Sequence, residues 1–112
     1  MAENETMLLR VFLCETDHHN HKPTYQQIVA RAHELGLAGA TVLRGMMGFT
    51  AGSEIHSTKV LRLSDDLPVV VEIVDSEENL RLLLPYLDEA LDQGLVTLEK
   101  VRVLRRITRK TD

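Results

Sequence analysis

The hydrophobic and polar positions change period several times along the chain, and each change marks an element. From Met7 to Thr16 the period is two: Leu9, Val11 and Leu13 fall on one side of an extended segment, and Leu8, Arg10, Phe12 and Cys14 on the other. After the polar run Asp17-His-His-Asn-His-Lys22 the period becomes helical, with Tyr25, Ile28, Val29, Ala32 and Leu35 on one face. Pro23 in a first turn, or Thr24 as a cap with Gln27 three residues on, starts this helix. Gly36 stops it, because glycine enters the left-handed conformation cheaply. Ala40 to Met46 then reads as a second strand and Pro68 to Val74 as a third, with Lys59–Leu63 as an extra extended stretch between them. Asp75 or Ser76 caps a second helix, Glu77 and Glu78 sit in its first turn where the dipole favours negative charge, and Leu80, Leu83, Leu84, Leu87 and Leu91 form its stripe. Pro85 interrupts that stripe and predicts a kink or restart, Gly94 ends the helix, and Val101 to Ile107 is the expected last strand before a polar tail.

The order β-α-β-β-α-β is that of two split β-α-β units, the ferredoxin-like α+β sandwich. Right-handed crossovers place both helices on one face of a four-stranded antiparallel sheet. The other face would then carry Leu8, Phe12 and Cys14 with Val70 and Val74 or their alternates from the third strand, too much apolar surface for a lone protomer, so a closed homo-oligomer is expected. The connection from residue 48 to 67 is far longer than the ~2–5 residues that join neighbouring strands, which marks it as a ligand or partner loop.

With 112 residues, 44% of them hydrophobic, the chain fits one domain over 1–112, with its core at about 7–107. Thirteen basic against seventeen acidic side chains leave a formal charge of −4, which argues against a general electrostatic footprint for nucleic acid. No apolar run reaches the ~20 residues that span a bilayer, and Met1-Ala-Glu-Asn-Glu carries acid where a signal peptide carries base, so a cytoplasmic protein is expected. Cys14 is the single cysteine; lying in an apolar strand, it is expected to be an inert buried thiol.

Several segments together match a known pattern: Leu9-Arg-Val-Phe, Lys22-Pro23, Gly36-Leu-Ala-Gly-Ala-Thr-Val-Leu-Arg-Gly45 followed by Met47-Gly-Phe49, Leu67-Pro-Val-Val-Val-Glu-Ile-Val-Asp75, and Gly94-Leu-Val-Thr-Leu98. On these residues the chain resembles the PII-like signalling superfamily, and more closely a branch of small bacterial proteins catalogued as a domain of unknown function. The resemblance implies a homotrimer with lateral clefts between subunits, in which the loop after strand two, the turn before strand four and basic residues near the C-terminus converge on a nucleotide. By position it assigns Gly48 and Phe49 to the opening of the loop, and Lys100 and Arg102 to phosphate-binding charge. Two features depart from true PII proteins: Leu95-Val-Thr-Leu-Glu99 replaces their Gly-rich phosphate turn, and no tyrosine lies between Phe49 and Ser57.

The residues offer further candidate chemistry. Gly45, Gly48 and Gly52 flank Thr50-Ala-Gly-Ser-Glu-Ile-His-Ser-Thr58, where backbone N–H groups, hydroxyls and Lys59 suit an anion. His18, His19 and His21 beside Asp17 are the densest set of metal-capable side chains. Glu54, His56, Ser53 and Ser57 supply acid, base and nucleophile types, but on a loop without the rigid pocket that catalysis needs, so no enzyme is expected. Arg102, Arg105, Arg106, Arg109 and Lys110 make a basic C-terminal end, but strand alternation separates Arg102 and Arg106 from Arg105, so no single patch is expected. The leading expectation is a non-enzymatic regulator that binds a small anionic metabolite, an adenine nucleotide among the candidates, and uses residues 48–58 to engage or release a partner such as a membrane transporter. The alternatives are a metal-binding trimer of the same fold and a ligand-free protein-interaction module.

Overall fold

A computed structural model describes residues 5–50 and 66–109. In chain order its elements are β1 (Thr6–Cys14), a short ribbon of β2 (His18–His19) and β3 (Lys22–Pro23), α1 (Thr24–Glu34), β4 (Thr41–Arg44), β5 (Pro68–Ser76), α2 (Glu77–Arg81), α3 (Leu84–Ala90) and β6 (Leu95–Lys100). The four long strands form one sheet in the order β4-β5-β1-β6, every neighbouring pair antiparallel. This is the ferredoxin-like arrangement expected from the hydrophobic pattern. Central strands β1 and β5 pair over their whole length, from Thr6 opposite Ser76 to Cys14 opposite Pro68.

Alternation along the central strands decides which face is covered. Met7, Leu9, Val11 and Leu13 of β1 and Val69, Val71 and Ile73 of β5 are buried, as are Ile28 and Ala32 of α1 and Leu80, Leu83 and Leu87 of the second helical region; together they form one core. Burial of each large aliphatic side chain stabilises the fold by about 1.5–3 kcal/mol before chain entropy is counted. On the opposite face each register position forms a row across the sheet. Leu43, Val70, Phe12 and Leu95 make one such row, and Thr41, Glu72, Arg10 and Thr97 the next.

The second helix is two helices, because Pro85 lies in the first turn of α3, where its missing N–H would have no intrahelical partner. Ser76 caps α2, its Oγ accepting from the Asn79 N–H at 3.2 Å. The polar run before α1 is not a plain loop. Asn20 and His21 both have positive φ, 53° and 68°, the two-residue turn that joins a tight hairpin, and His19 pairs with Lys22 across it.

The last strand differs from the expectation of Val101–Ile107. It is Leu95–Lys100, which pairs with β1 from Phe12 opposite Leu95 to Met7 opposite Lys100. The reason is supply of partner: the Val101 N–H bonds to the Thr6 carbonyl at 3.0 Å, and Thr6 is the first residue of β1, so beyond it no strand is left to pair. Gly94 leads into this strand at φ +137°, where an added Cβ would meet the Phe12 carbonyl oxygen at 2.7 Å; only glycine lets the chain enter β6 this close to β1. Residues 101–109 carry no strand or helix.

Candidate functional site

Freed from the sheet, the chain after Lys100 leaves the β6 edge, and Val103, Arg105 and Arg106 come to line a cavity with Thr41 of β4 and Glu72 and Val74 of β5. Its remaining wall is the small-residue segment Ala38-Gly39-Ala40, and its volume is about 450 Å³. Small side chains matter here because they leave backbone open to a ligand. Valines give the cavity apolar walls, Thr41 and Glu72 give it polar groups, and two guanidiniums stand at its margin. A cavity of this kind takes a small ligand with a flat or apolar part and an anionic end.

Asp75 braces this wall. Its Oδ2 accepts from the Ala38 N–H at 2.9 Å, and its Oδ1 accepts from the Ser76 N–H at 2.7 Å and Asn79 Nδ2 at 3.0 Å. Partial burial pushes the carboxyl upward, but those three hydrogen bonds, with the charge of Arg106, outweigh it and hold Asp75 below the ordinary carboxylate range. A depressed folded-state value contributes stability that is present above the unfolded value of about 3.9 and lost as pH falls through the folded one. Asp75→Asn is therefore expected to be less stable than wild type at neutral pH, with the gap closing below about pH 4, as read by urea denaturation across pH.

At the inner side of the cavity, Glu72 Oε2 accepts from Arg10 Nε at 2.9 Å, and Arg10 also reaches Glu99 on β6. The Glu72 hydrogen bond raises the Arg10 guanidinium above its usual value, against a smaller opposing effect of desolvation, with Glu99 adding to the rise. Arg10 thus ties the cavity to the middle of the uncovered face through one shared carboxylate.

The residues singled out from the sequence scatter. Gly48, Phe49 and Thr50 stand at the Cys14 end of β1: the Gly45 N–H bonds to the Pro68 carbonyl at 2.7 Å, and Cys14 Sγ lies 3.2 Å from Thr50 Oγ1. Lys100 stands at the other end, opposite Met7, and Arg102 follows it. Eight residue steps of strand separate the two ends, roughly 25 Å, so a single protomer does not bring the loop base and Lys100 together. Lys100 is also paired, its Nζ 2.9 Å from Glu5 Oε2, which raises its pKa. Arg105 and Arg106 line the cavity together; the alternation that would have parted them does not operate outside a strand. Lys59, the Lys59–Leu63 stretch and the Gly52–Thr58 candidates lie outside the described residues.

The three loop histidines do not converge. His18 Nδ1 contacts the Thr16 carbonyl, His19 lies edge-on to Tyr86 with ring centroids 6.2 Å apart, and His21 is exposed at the hairpin turn. Among the described residues no group of three His, Cys, Asp or Glu side chains is placed to hold a metal ion. His19 instead docks the hairpin, whose His19 and Lys22 carbonyls accept from Gln27 Nε2 at 2.6 and 2.9 Å. Cys14 is buried, and desolvation pushes its thiol up despite the Thr50 contact. Among the described residues no helix is long and apolar enough to cross a membrane.

A helical layer on one face of a four-stranded antiparallel sheet is the fold this chain shares with PII-like proteins. The chain is similar in structure to CPII of Thiomonas intermedia K12 bound to ADP and bicarbonate, with a TM-score of 0.58 at 20% identity over 89% of each chain. It is also similar to a putative PII-like signalling protein of Thermus thermophilus, with a TM-score of 0.54 at 19% identity over 87% of this chain and 88% of that one. Within this fold class the chain belongs to the family DUF190, described as "Uncharacterized ACR, COG1993", whose model matches residues 6–103. Its relatives include a UPF0166 protein of Aquifex aeolicus, 42% identical over 97 residues that cover 87% of this chain and 91% of that protein. Another is a UPF0166 protein of Methanocaldococcus jannaschii, 32% identical over 99 residues, 88% of this chain and 91% of that one.

Proposed function

We propose that the protein is a non-enzymatic PII-like regulator, a homotrimer that binds a small anionic metabolite of the adenine-nucleotide class. The observation that carries this reading is the cavity that sets Arg105 and Arg106 beside Thr41, Glu72 and Val74. The valine walls suit a base, the Thr41 hydroxyl and Glu72 carboxylate suit its polar edge, and the arginines suit phosphate. That a structural neighbour has been solved with ADP lends the reading support at the level of fold.

The uncovered face, with its row Leu43, Val70, Phe12 and Leu95, is covered by other copies of the chain, so the cavity lies near a seam between subunits. The loop base at Thr50, remote from Lys100 within one protomer, reaches a neighbour's ligand across that seam. Ligand binding then favours one state of residues 48–58, and that state engages or releases a partner, a membrane transporter being one candidate. Such a switch works only through a difference in ligand affinity between the two loop states.

Calorimetry with AMP, ADP and ATP tests the reading. Arg105→Ala with Arg106→Ala is expected to weaken the tightest nucleotide at least tenfold, since a hydrogen bond to a charged group is worth about 1.5–3 kcal/mol. Lys100→Ala is expected to change affinity less than twofold, because Lys100 is already committed to Glu5. Nucleotide binding that survives the double arginine substitution unchanged rejects the cavity as the site.

A further inference from the structure

The C-terminal tail and the uncovered face each lack a partner, and in complementary ways. After the Val101 N–H bonds to Thr6, no backbone group of residues 102–109 pairs among the described residues, and all eight are exposed. Leu104 and Ile107, 86% and 87% exposed, are the most exposed large hydrophobic side chains among the described residues. Arg102 and Arg109 form no ion pair there. The tail also concentrates positive charge: residues 101–112 hold five of the thirteen basic side chains and one of the seventeen acidic ones, in a chain of formal charge −4. An exposed apolar and basic segment calls for an apolar and acidic surface.

The uncovered face has that composition along β6. Leu95 and Glu99 both lie on it, in register with Phe12 and Leu8 of β1, and both are more than half exposed. Glu99 shares Arg10 with Glu72, so two acids divide one cation. The tail cannot serve its own β6. It runs past residues 38–41, where Arg105 and Arg106 line the arginine cavity, and so leaves its protomer on the β4 side. In the strand order β4-β5-β1-β6, Glu99 sits on the opposite edge. An arm leaving one edge and a docking surface at the other make a head-to-tail contact, which closes a ring of copies where a two-fold contact would stop at a pair.

We infer that the tail of each protomer docks on the uncovered face of a second copy at its β6 edge, with Ile107 against Leu95 and Arg109 against Glu99. This rests on the homotrimer proposed above and names the segment that clasps it. Ile107 and Arg109, two residues apart, share one side of an extended chain, as Leu95 and Glu99 share one side of β6. Arg109 also balances the charge of the face, since two cations then meet Glu72 and Glu99. The clasp begins one residue beyond Arg106, which sets each arginine cavity beside a seam between copies.

Sedimentation of the full chain from nanomolar to micromolar concentration tests the clasp. Arg109→Glu and Glu99→Arg are each expected to weaken assembly about tenfold or more, because each sets like charges together in the contact. Combined, they are expected to recover most of that loss, since the exchanged pair attracts again. Ile107→Ser should weaken assembly as well, while circular dichroism of the protomer stays unchanged, because the residue is 87% exposed there. A monomeric wild type overturns both the trimer and the clasp. A trimeric wild type whose assembly ignores all three substitutions, or whose charge exchange restores nothing, overturns the clasp alone. Phosphatidylserine vesicles that bind wild type and lose Arg109→Glu, with assembly unmoved, assign the tail to a lipid surface and overturn the clasp too.

Discussion

Replacing Leu43 and Leu95 together with glutamate is expected to convert an associating protein into a monomer while leaving the protomer folded. The two residues end one row of the uncovered face, on β4 and β6 respectively, and are 49% and 57% exposed, so in a single protomer their carboxylates would remain in water. In a trimer that packs these faces together they would be buried without cations to pair them. An uncompensated buried charge costs about 3–5 kcal/mol, and the penalty recurs in every subunit. Wild-type protein should therefore show three chain masses by light scattering at micromolar concentration, and the variant one, with helical and strand content unchanged by circular dichroism. A wild-type protein that is monomeric under these conditions, or a variant that still forms trimers, would remove the uncovered face from the assembly.

The neighbouring row limits how this face can associate. Arg10 pairs with Glu72 of its own row and with Glu99 of the row beyond, one cation against two acids, so this part of the face carries an excess of negative charge beside apolar residues. Covering copies must either keep Glu99 near solvent or bring a cation to it. Since Glu72 also lines the arginine cavity, a ligand there that competes for its carboxylate is expected to loosen Arg10, which would link the proposed ligand site to the uncovered face through one ion pair.

The fold was legible because the central strands alternate without a break and the helices repeat their apolar positions at helical spacing. Pro85 was equally readable, since a proline inside a helical stripe forces a kink or a restart, and it lies in the first turn of the restarted helix α3. The last strand was misplaced because Val101, Val103 and Ile107 look as extended as Leu95 to Lys100. Which of the two stretches pairs is settled by where β1 starts, a tertiary fact. The hairpin of β2 and β3 carried a weak local signal in Asn20, a residue that tolerates left-handed backbone, but a histidine beside it hid the pattern. The arginine cavity was out of reach for another reason: its walls come from residues 38–41, 72–74 and 103–106, and only the sheet order and the path of the tail bring them together.

Leu83→Ala is expected to produce the largest loss of protomer stability, about 2–5 kcal/mol, out of a total of roughly 5–15 kcal/mol for a domain. Leu83 is fully buried at the junction of α2 and α3, with Leu80 on one side and Leu87 on the other contributing to the same core. Helices of five and seven residues have no independent stability in water, so this whole layer is held by what it buries. Truncating Leu83 removes apolar contact at the point where Pro85 has already interrupted the backbone ladder, and the surrounding chain cannot close the gap by shifting one continuous helix. Leu82, its neighbour, is 53% exposed and serves as the control; Leu82→Ala should stay within about 0.5 kcal/mol of wild type. Urea denaturation of all three proteins at one fixed concentration, chosen because assembly adds to apparent stability, gives the comparison. Equal effects of the two substitutions would mean that α2 and α3 are not anchored through Leu83.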